Sequence, residues 1–106
     1  MTAPITVLAP IKLAKGKSEA DLIKASDKFQ DAFVSKQPGV IRRELVRKSD
    51  GEYLDIVQFR SKEDAEEIIE KEKESPACHD FFSVMDGDDD SGIDFYPSLA
   101  TYYYHQ

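Results

Sequence analysis

From Ile5 to Leu13 the chain alternates, with Ile5, Val7, Ala9, Ile11 and Leu13 on one side and Thr6, Pro10 and Lys12 on the other. This period of two marks a strand with one buried face. Pro10 has no N–H to give to a ladder, so that part of the strand is expected at an edge or a bulge. Lys15-Gly16-Lys17 breaks the alternation and the period changes. Ser18, with Asp21 three residues on, makes a capping-box start, after which Leu22, Ser26, Phe29 and Phe33 recur at helical spacing until Pro38-Gly39 ends the run. Two extended runs follow, Val40 to Lys48 and Glu52 to Phe59, joined by Ser49-Asp50-Gly51. Asp-Gly between alternating segments predicts a hairpin.

The capping device returns at Ser61 and Asp64, ahead of a narrow apolar stripe of Ala65, Ile68 and Ile69. The rest of that helix is crowded with Glu66, Glu67, Glu70, Lys71, Glu72, Lys73 and Glu74, a charge run that reads as a solvated face. Ser75-Pro76 restarts a helix, serine as N-cap and proline at the first helical position. Cys78, Phe82 and Met85 then fall on its apolar stripe with Phe81 beside them, while His79 points about 100° away from Cys78. The closing run, Phe95 to His105, is aromatic and extended. Tyr96, Ser98, Ala100, Tyr102 and Tyr104 would share one face, and Phe95, Pro97, Leu99, Thr101 and Tyr103 the other. Such a tyrosine-rich strand suits a cavity wall or a subunit interface.

The order strand, helix, strand, strand, helix with a second helical piece, strand predicts one α+β domain over residues 1–106. Its architecture is ferredoxin-like, β-α-β-β-α-β, an antiparallel sheet with helices on one face. Apolar residues occupy both faces of the first strand (Leu8 against Val7 and Ala9) and of the third (Leu54 and Ile56 against Tyr53, Val57 and Phe59). The uncovered face is therefore expected to be buried by a second copy, through an isologous homodimer contact.

Composition narrows the partners. With 106 residues, 41% of them hydrophobic, the chain can fill one modest core and has little surplus for a deep enclosed pocket. Its 21 acidic against 14 basic residues leave a net charge of −7, which repels phosphate backbones and anionic lipid alike. Nucleic acid and membrane are not expected as partners. No apolar run approaches the roughly 18 residues of a membrane helix, Met1-Thr2-Ala3-Pro4-Ile5 lacks the layout of a secretory signal, and the single cysteine cannot close an internal disulfide. The expectation is a soluble cytoplasmic protein.

Candidate chemistry gathers first at Cys78-His79. A nucleophile needs its base within hydrogen-bond reach, and sequence neighbours on a helix do not face each other, so Cys78 reads as a core residue. Nor are the two spaced as metal ligands, His105 being the one other imidazole. The acidic stretch Asp86 to Asp94 places Ser91 and Pro97 where a calcium loop needs glycine and glutamate, and reads as a solvated loop. Neither metal nor cofactor is expected. An acid–base set remains: His79 as general base, Tyr53, Tyr102 or Tyr104 as donor to a developing oxyanion, and Asp55 to orient the base or the substrate. Asp55 is the hardest to dismiss, because a carboxylate between Leu54 and Ile56 in mid-strand must face water, a ligand or a partner such as Arg42 or Arg43 across the hairpin.

A first strand ending in KLAKGK, a helix closing at QPGV, a hairpin ending in QFRSKEDAEE and the short helix SPACHDFF together resemble the antibiotic-biosynthesis-monooxygenase-like proteins of the dimeric α+β barrel superfamily. The resemblance implies a homodimer whose sheets form a barrel and whose pocket, between helices and sheet or inside the barrel, holds a small hydrophobic or aromatic molecule. It implies three activities to choose among: cofactor-independent oxygenation of a phenolic or quinol-like substrate, polyketide-type cyclisation, or ligand binding without catalysis. A haem-degrading branch relies on asparagine, tryptophan and histidine. Alignment sets Ala9 and Phe59 at the first two places and Phe82 near the third, with His79 almost a turn away, so that mechanism is not expected.

Overall fold

A computed structural model describes residues 3–86, 92–102 and 104. Strand β1 (Ile5–Ile11) leads to helix α1 (Glu19–Ala32) and a short 3-10 turn (Val34–Lys36), followed by the hairpin β2 (Val40–Arg47) and β3 (Tyr53–Phe59). Helices α2 (Lys62–Glu72) and α3 (Pro76–Phe82) then precede β4 (Asp94–Pro97). The four strands form one sheet in the order β2-β3-β1-β4, every neighbouring pair antiparallel. This is the ferredoxin-like arrangement that the sequence order predicts. Among the described residues no helix is long and apolar enough to cross a membrane.

The caps act as their residue types dictate. At Ser18 the capping box is reciprocal: the hydroxyl accepts from the Asp21 N–H at 3.2 Å and the Asp21 carboxylate from the Ser18 N–H at 2.9 Å. Ser61 accepts from the Asp64 N–H at 3.1 Å. Ser75 occupies the N-cap of α3 but makes no capping bond, its hydroxyl being engaged with the Cys78 thiol. Gly51 supplies the left-handed residue that closes the hairpin, φ 88°.

Pro10 lies where β1 has a partner on one side only, because β4 pairs with Ile5 to Leu8 and stops there. The closing strand is much shorter than the Phe95 to His105 run predicts. Pro97 is already opposite Ile5, the first residue of β1, so the ladder ends for want of a partner strand. Beyond it one backbone bond remains, from the Ser98 N–H to the Pro4 carbonyl at 2.9 Å, and the chain then leans on the sheet, where Gln58 Nε2 donates to the Ser98 and Thr101 hydroxyls, each at 3.2 Å. Tyr102 and Tyr104 stand exposed. Tyr103, His105 and residues 87–91 of the acidic stretch lie outside the described residues.

The alternate set Ile5, Val7, Ile11, Asp55 and Phe59 is buried beneath the helices together with Leu22, Phe29, Ala65, Ile68, Cys78 and Phe81. Thr6, Leu8, Leu54, Ile56 and Gln58, of opposite parity, are half-exposed on the other face. One irregularity matters for function. The register slips between Val40 and Arg42, so Ile41 is an extra residue in β2. From there on Arg43, Leu45 and Arg47 fall opposite Val57, Asp55 and Tyr53 on the helix-facing side, while Arg42 and Glu44 pair with each other at 2.6 Å on the open side.

Candidate functional site

Asp55 sits in the middle of the sheet, between Ala9 of β1 and Leu45 of β2, and its side chain points under the helices. Asp55 is buried there and its carboxylate must find a partner. The partner is Arg43, one diagonal step away on β2, with Nε 3.1 Å from Oδ1 and 3.2 Å from Oδ2. The Nε–H is directed at Oδ2; Oδ1, although close, receives no hydrogen bond. Burial pushes the Asp55 carboxyl above its ordinary range, and the Arg43 charge and hydrogen bond oppose that without cancelling it.

The guanidinium is held from α1. Nη2 donates to Ser26 Oγ at 2.9 Å, and Nη1 reaches the Ser26 carbonyl at 3.5 Å and Gln30 Oε1 at 3.4 Å. Its carbon lies 5.0 Å from the Phe29 ring centroid and 5.3 Å from that of Phe81. These two rings are stacked at 4.5 Å, and Phe33 stacks on Phe29 at 5.6 Å. An apolar aromatic wall thus presents π faces to a desolvated cation, a favourable arrangement.

Asp55 and Arg43 face a cavity of about 40 Å³ walled by Phe29, Phe33, Val40, Val57, Phe59 and Ile68, with Glu72 of α2 also on its boundary. Such a space holds a water or a diatomic molecule but no aromatic ring. On the far side of Arg43 a surface groove of about 350 Å³ runs between α1 and β2, lined by Ile23, Ser26, Asp27, Gln30 and Leu45. Arg43 is common to both spaces, and the groove is within the size range of small-molecule sites.

The other sequence candidates lie elsewhere. His79 is exposed on α3, its Nε2 donating to the Lys73 carbonyl at 2.8 Å, and it is not part of the cavity wall. Tyr53 shares the helix-facing side of β3 with Asp55 but donates to Glu19 Oε1 at 3.1 Å, in a surface cluster where Arg47 grips Glu19 through contacts of 2.6 and 2.8 Å. Burial, then the Glu19 hydrogen bond, raises the Tyr53 phenol. Tyr102 and Tyr104 project from the segment after β4, away from the cavity walls. Ala9, where the resemblance sets an asparagine, is directly opposite Asp55, so the polar group at this level of the sheet comes from the neighbouring strand. Ser26 and Gln30 did not register as site residues in the sequence. A serine on the otherwise apolar stripe of Leu22, Phe29 and Phe33 was the available signal.

Cys78 is fully buried and its thiol is pushed up to about 11, first by burial and further by the Glu72 charge. Native protein is therefore expected to resist iodoacetamide near neutral pH and to label promptly once unfolded. Cys78→Ala should cost on the order of 1 kcal/mol and leave any activity largely intact. Rapid labelling of the folded protein, followed by mass spectrometry, would contradict this assignment.

The sequence matches no family model and no curated protein. Solved structures do match. SnoaB of Streptomyces nogalater, a cofactor-independent oxygenase, superposes with a TM-score of 0.72 at 15% identity, over 94% of this chain and 97% of that one. A Caulobacter crescentus protein classed provisionally as an antibiotic biosynthesis monooxygenase gives 0.72 at 18% identity, over 93% and 92%. A conserved Methanosarcina mazei protein gives 0.67 at 13%, over 91% and 93%. The chain is an α+β protein with the antibiotic-biosynthesis-monooxygenase-like fold, as the resemblance implied.

Proposed function

We propose that the protein is a cofactor-independent oxygenase of a phenolic or quinol-like substrate, working as a homodimer with Asp55 as base and Arg43 as holder of the oxyanion. The observation that carries this reading is Oδ1 of the buried Asp55, which receives no hydrogen bond, beside a desolvated Arg43 and an aromatic wall. Buried polar atoms are satisfied as a rule, so an orphan carboxylate oxygen at a cavity is the place for a donor such as a phenol. A base raised above the ordinary carboxylate range and a cation in a site of low dielectric are the pair that phenol deprotonation needs.

The ring would lie in the groove between α1 and β2, with its hydroxyl reaching between Arg43 and Asp55. This requires the Arg43 side chain to shift, because the inner cavity alone is too small for a ring. Asp55 takes the hydroxyl proton, and the phenolate, with Arg43 on its oxygen, passes electron density to dioxygen at the activated ring carbon. A C–O bond forms to give a hydroperoxide. Asp55 returns its proton to the peroxide oxygen as the hydroperoxide forms, and loss of water, made from that carbon's hydrogen and the terminal OH, turns the ring C–H into C=O, so that one oxygen atom enters the product and the other leaves as water, the substrate itself supplying the electrons. The half-exposed apolar residues Leu8, Leu54 and Ile56 support burial of the open sheet face by a second copy.

Dioxygen uptake and quinone absorbance with a panel of naphthols and anthrols whose carbon para to the hydroxyl bears hydrogen test the activity. Native mass spectrometry tests the assembly, the expected mass being twice 12.0 kDa. Enzyme-dependent uptake matched to quinone formation supports the reading. Ligand retained on the dimer with no uptake would replace it by ligand binding without catalysis, to which the exposed position of His79 lends weight, since it takes the imidazole away from the cavity. Ring closure of a polyketide-like compound without uptake would point to a cyclase.

A further inference from the structure

The Arg43–Asp55 contact is not the fork-to-fork pair that arginine usually makes with a carboxylate. The edge of a guanidinium that meets a carboxylate side-on is formed by Nε and Nη2. Here Nε is on Asp55, but Nη2 is given to Ser26 Oγ at 2.9 Å, shorter than either Nε–carboxylate distance. The Ser26 carbonyl and Gln30 Oε1 engage Nη1 from the same helix, and the Phe29 and Phe81 rings limit the plane in which the group can turn. Ser26 is itself buried in the middle of α1. A buried serine on an apolar helical stripe is there for a hydrogen bond, and this one competes with Asp55 for the same arginine edge.

We propose that Ser26 is a positioning residue: by taking the Nη2–H of Arg43 it keeps the guanidinium from closing on Asp55 as a fork, and so holds Oδ1 free to receive a proton from the substrate. The inference rests on the reading of Asp55 as the base. The groups facing Asp55 are Arg43 from β2 and Glu72 from α2 among the charged residues of the cavity wall. Helix α1 presents the uncharged Ser26, Phe29 and Phe33, β1 presents Ala9, and α3 brings Phe81 and the Cys78 thiol to the layer beneath, with Glu72 near that thiol. Removing the Ser26 hydroxyl leaves the Nε–Nη2 edge one acceptor to close on, the Asp55 carboxylate.

The test is a carbon-detected NMR titration of the Asp55 carboxyl in the wild type, Ser26→Ala and Ser26→Thr. Ser26→Ala is expected to bind the proton about tenfold more weakly, as a second charge-assisted hydrogen bond favours the ionised form. Ser26→Thr keeps the hydroxyl and should titrate like the wild type. A merely structural serine would move the unfolding temperature and leave the titration in place. If Ser26→Ala does not fold, Ser26→Cys, with its much weaker acceptor, carries the same expectation. A raised wild-type titration that is unchanged in Ser26→Ala overturns the inference and leaves the base reading standing. A wild-type Asp55 titrating in the ordinary carboxylate range overturns the base reading itself, and the inference with it.

Discussion

Arg43→Ala is expected to lower stability by about 3 to 5 kcal/mol near neutral pH, because removing one member of a buried ion pair strands the other without compensation. Both side chains are desolvated, Arg43 at 7% and Asp55 at 9% exposure, so solvent screening gives little relief. For a domain of this length the midpoint of thermal unfolding should fall by about 15 °C or more. The pH dependence has a definite sign. Folding raises the Asp55 carboxyl by burial, so the folded state favours the protonated form. Stability from this group is complete below the unfolded value, about 3.9, and is lost as pH rises through the folded one. Without Arg43 the opposing attraction is gone and the folded value climbs further. The deficit of Arg43→Ala relative to the wild type should therefore shrink at acid pH and widen toward neutrality. Paired thermal or urea melts across that range measure it, and a deficit independent of pH would show that the lost contacts are those of the arginine stem with Phe29 and Phe81 instead.

Asp55→Asn is expected to abolish base catalysis while keeping the shape of the site. The amide is nearly isosteric, has negligible basicity and leaves Arg43 able to donate to its carbonyl. A positioned base contributes on the order of 10² to 10⁴ in rate, so on the proposed oxygenase reading kcat for dioxygen uptake should fall at least about a hundredfold, with retention of the substrate persisting. Comparing oxidation rates with bound-ligand mass separates this outcome from misfolding. A variant that oxidises the substrate at the wild-type rate would show that Asp55 does not take the proton, and would return the site to Arg43 and the aromatic wall alone.

Much of the fold is legible locally. The capping residues at Ser18 and Ser61 report on backbone N–H groups that must be satisfied within a turn, so their spacing to Asp21 and Asp64 suffices. The Asp50-Gly51 turn fixes the hairpin because a left-handed residue is needed there. The final strand is shorter than its alternation predicts, since the length of a ladder is set by the strand beside it: β1 begins at Ile5, and β4 ends opposite it. The site was legible in part. Asp55 stands out because a mid-strand carboxylate between Leu54 and Ile56 is costly to bury. His79 attracts notice only through its residue type, and its orientation on α3 takes it to the Lys73 carbonyl at the surface.

By itself the sequence determined the order and type of the elements, the ferredoxin-like plan and the anomaly of Asp55, each of which follows from periodicity, caps or the cost of burying a charge. It left open which arginine meets that charge. Simple alternation from Val40 would put Arg42 and Glu44 under the helices and send Arg43 to the open face, since a shift of one residue reverses every side chain of a strand. The extra residue at Ile41 makes that shift, and only pairing with β3 reveals it. Whether Arg43 closes on Asp55 or divides itself with Ser26 then depends on how α1 docks across the sheet. That docking follows from the packing of Leu22, Phe29, Phe33 and Phe81, contacts distant in sequence whose geometry the assembled core alone decides.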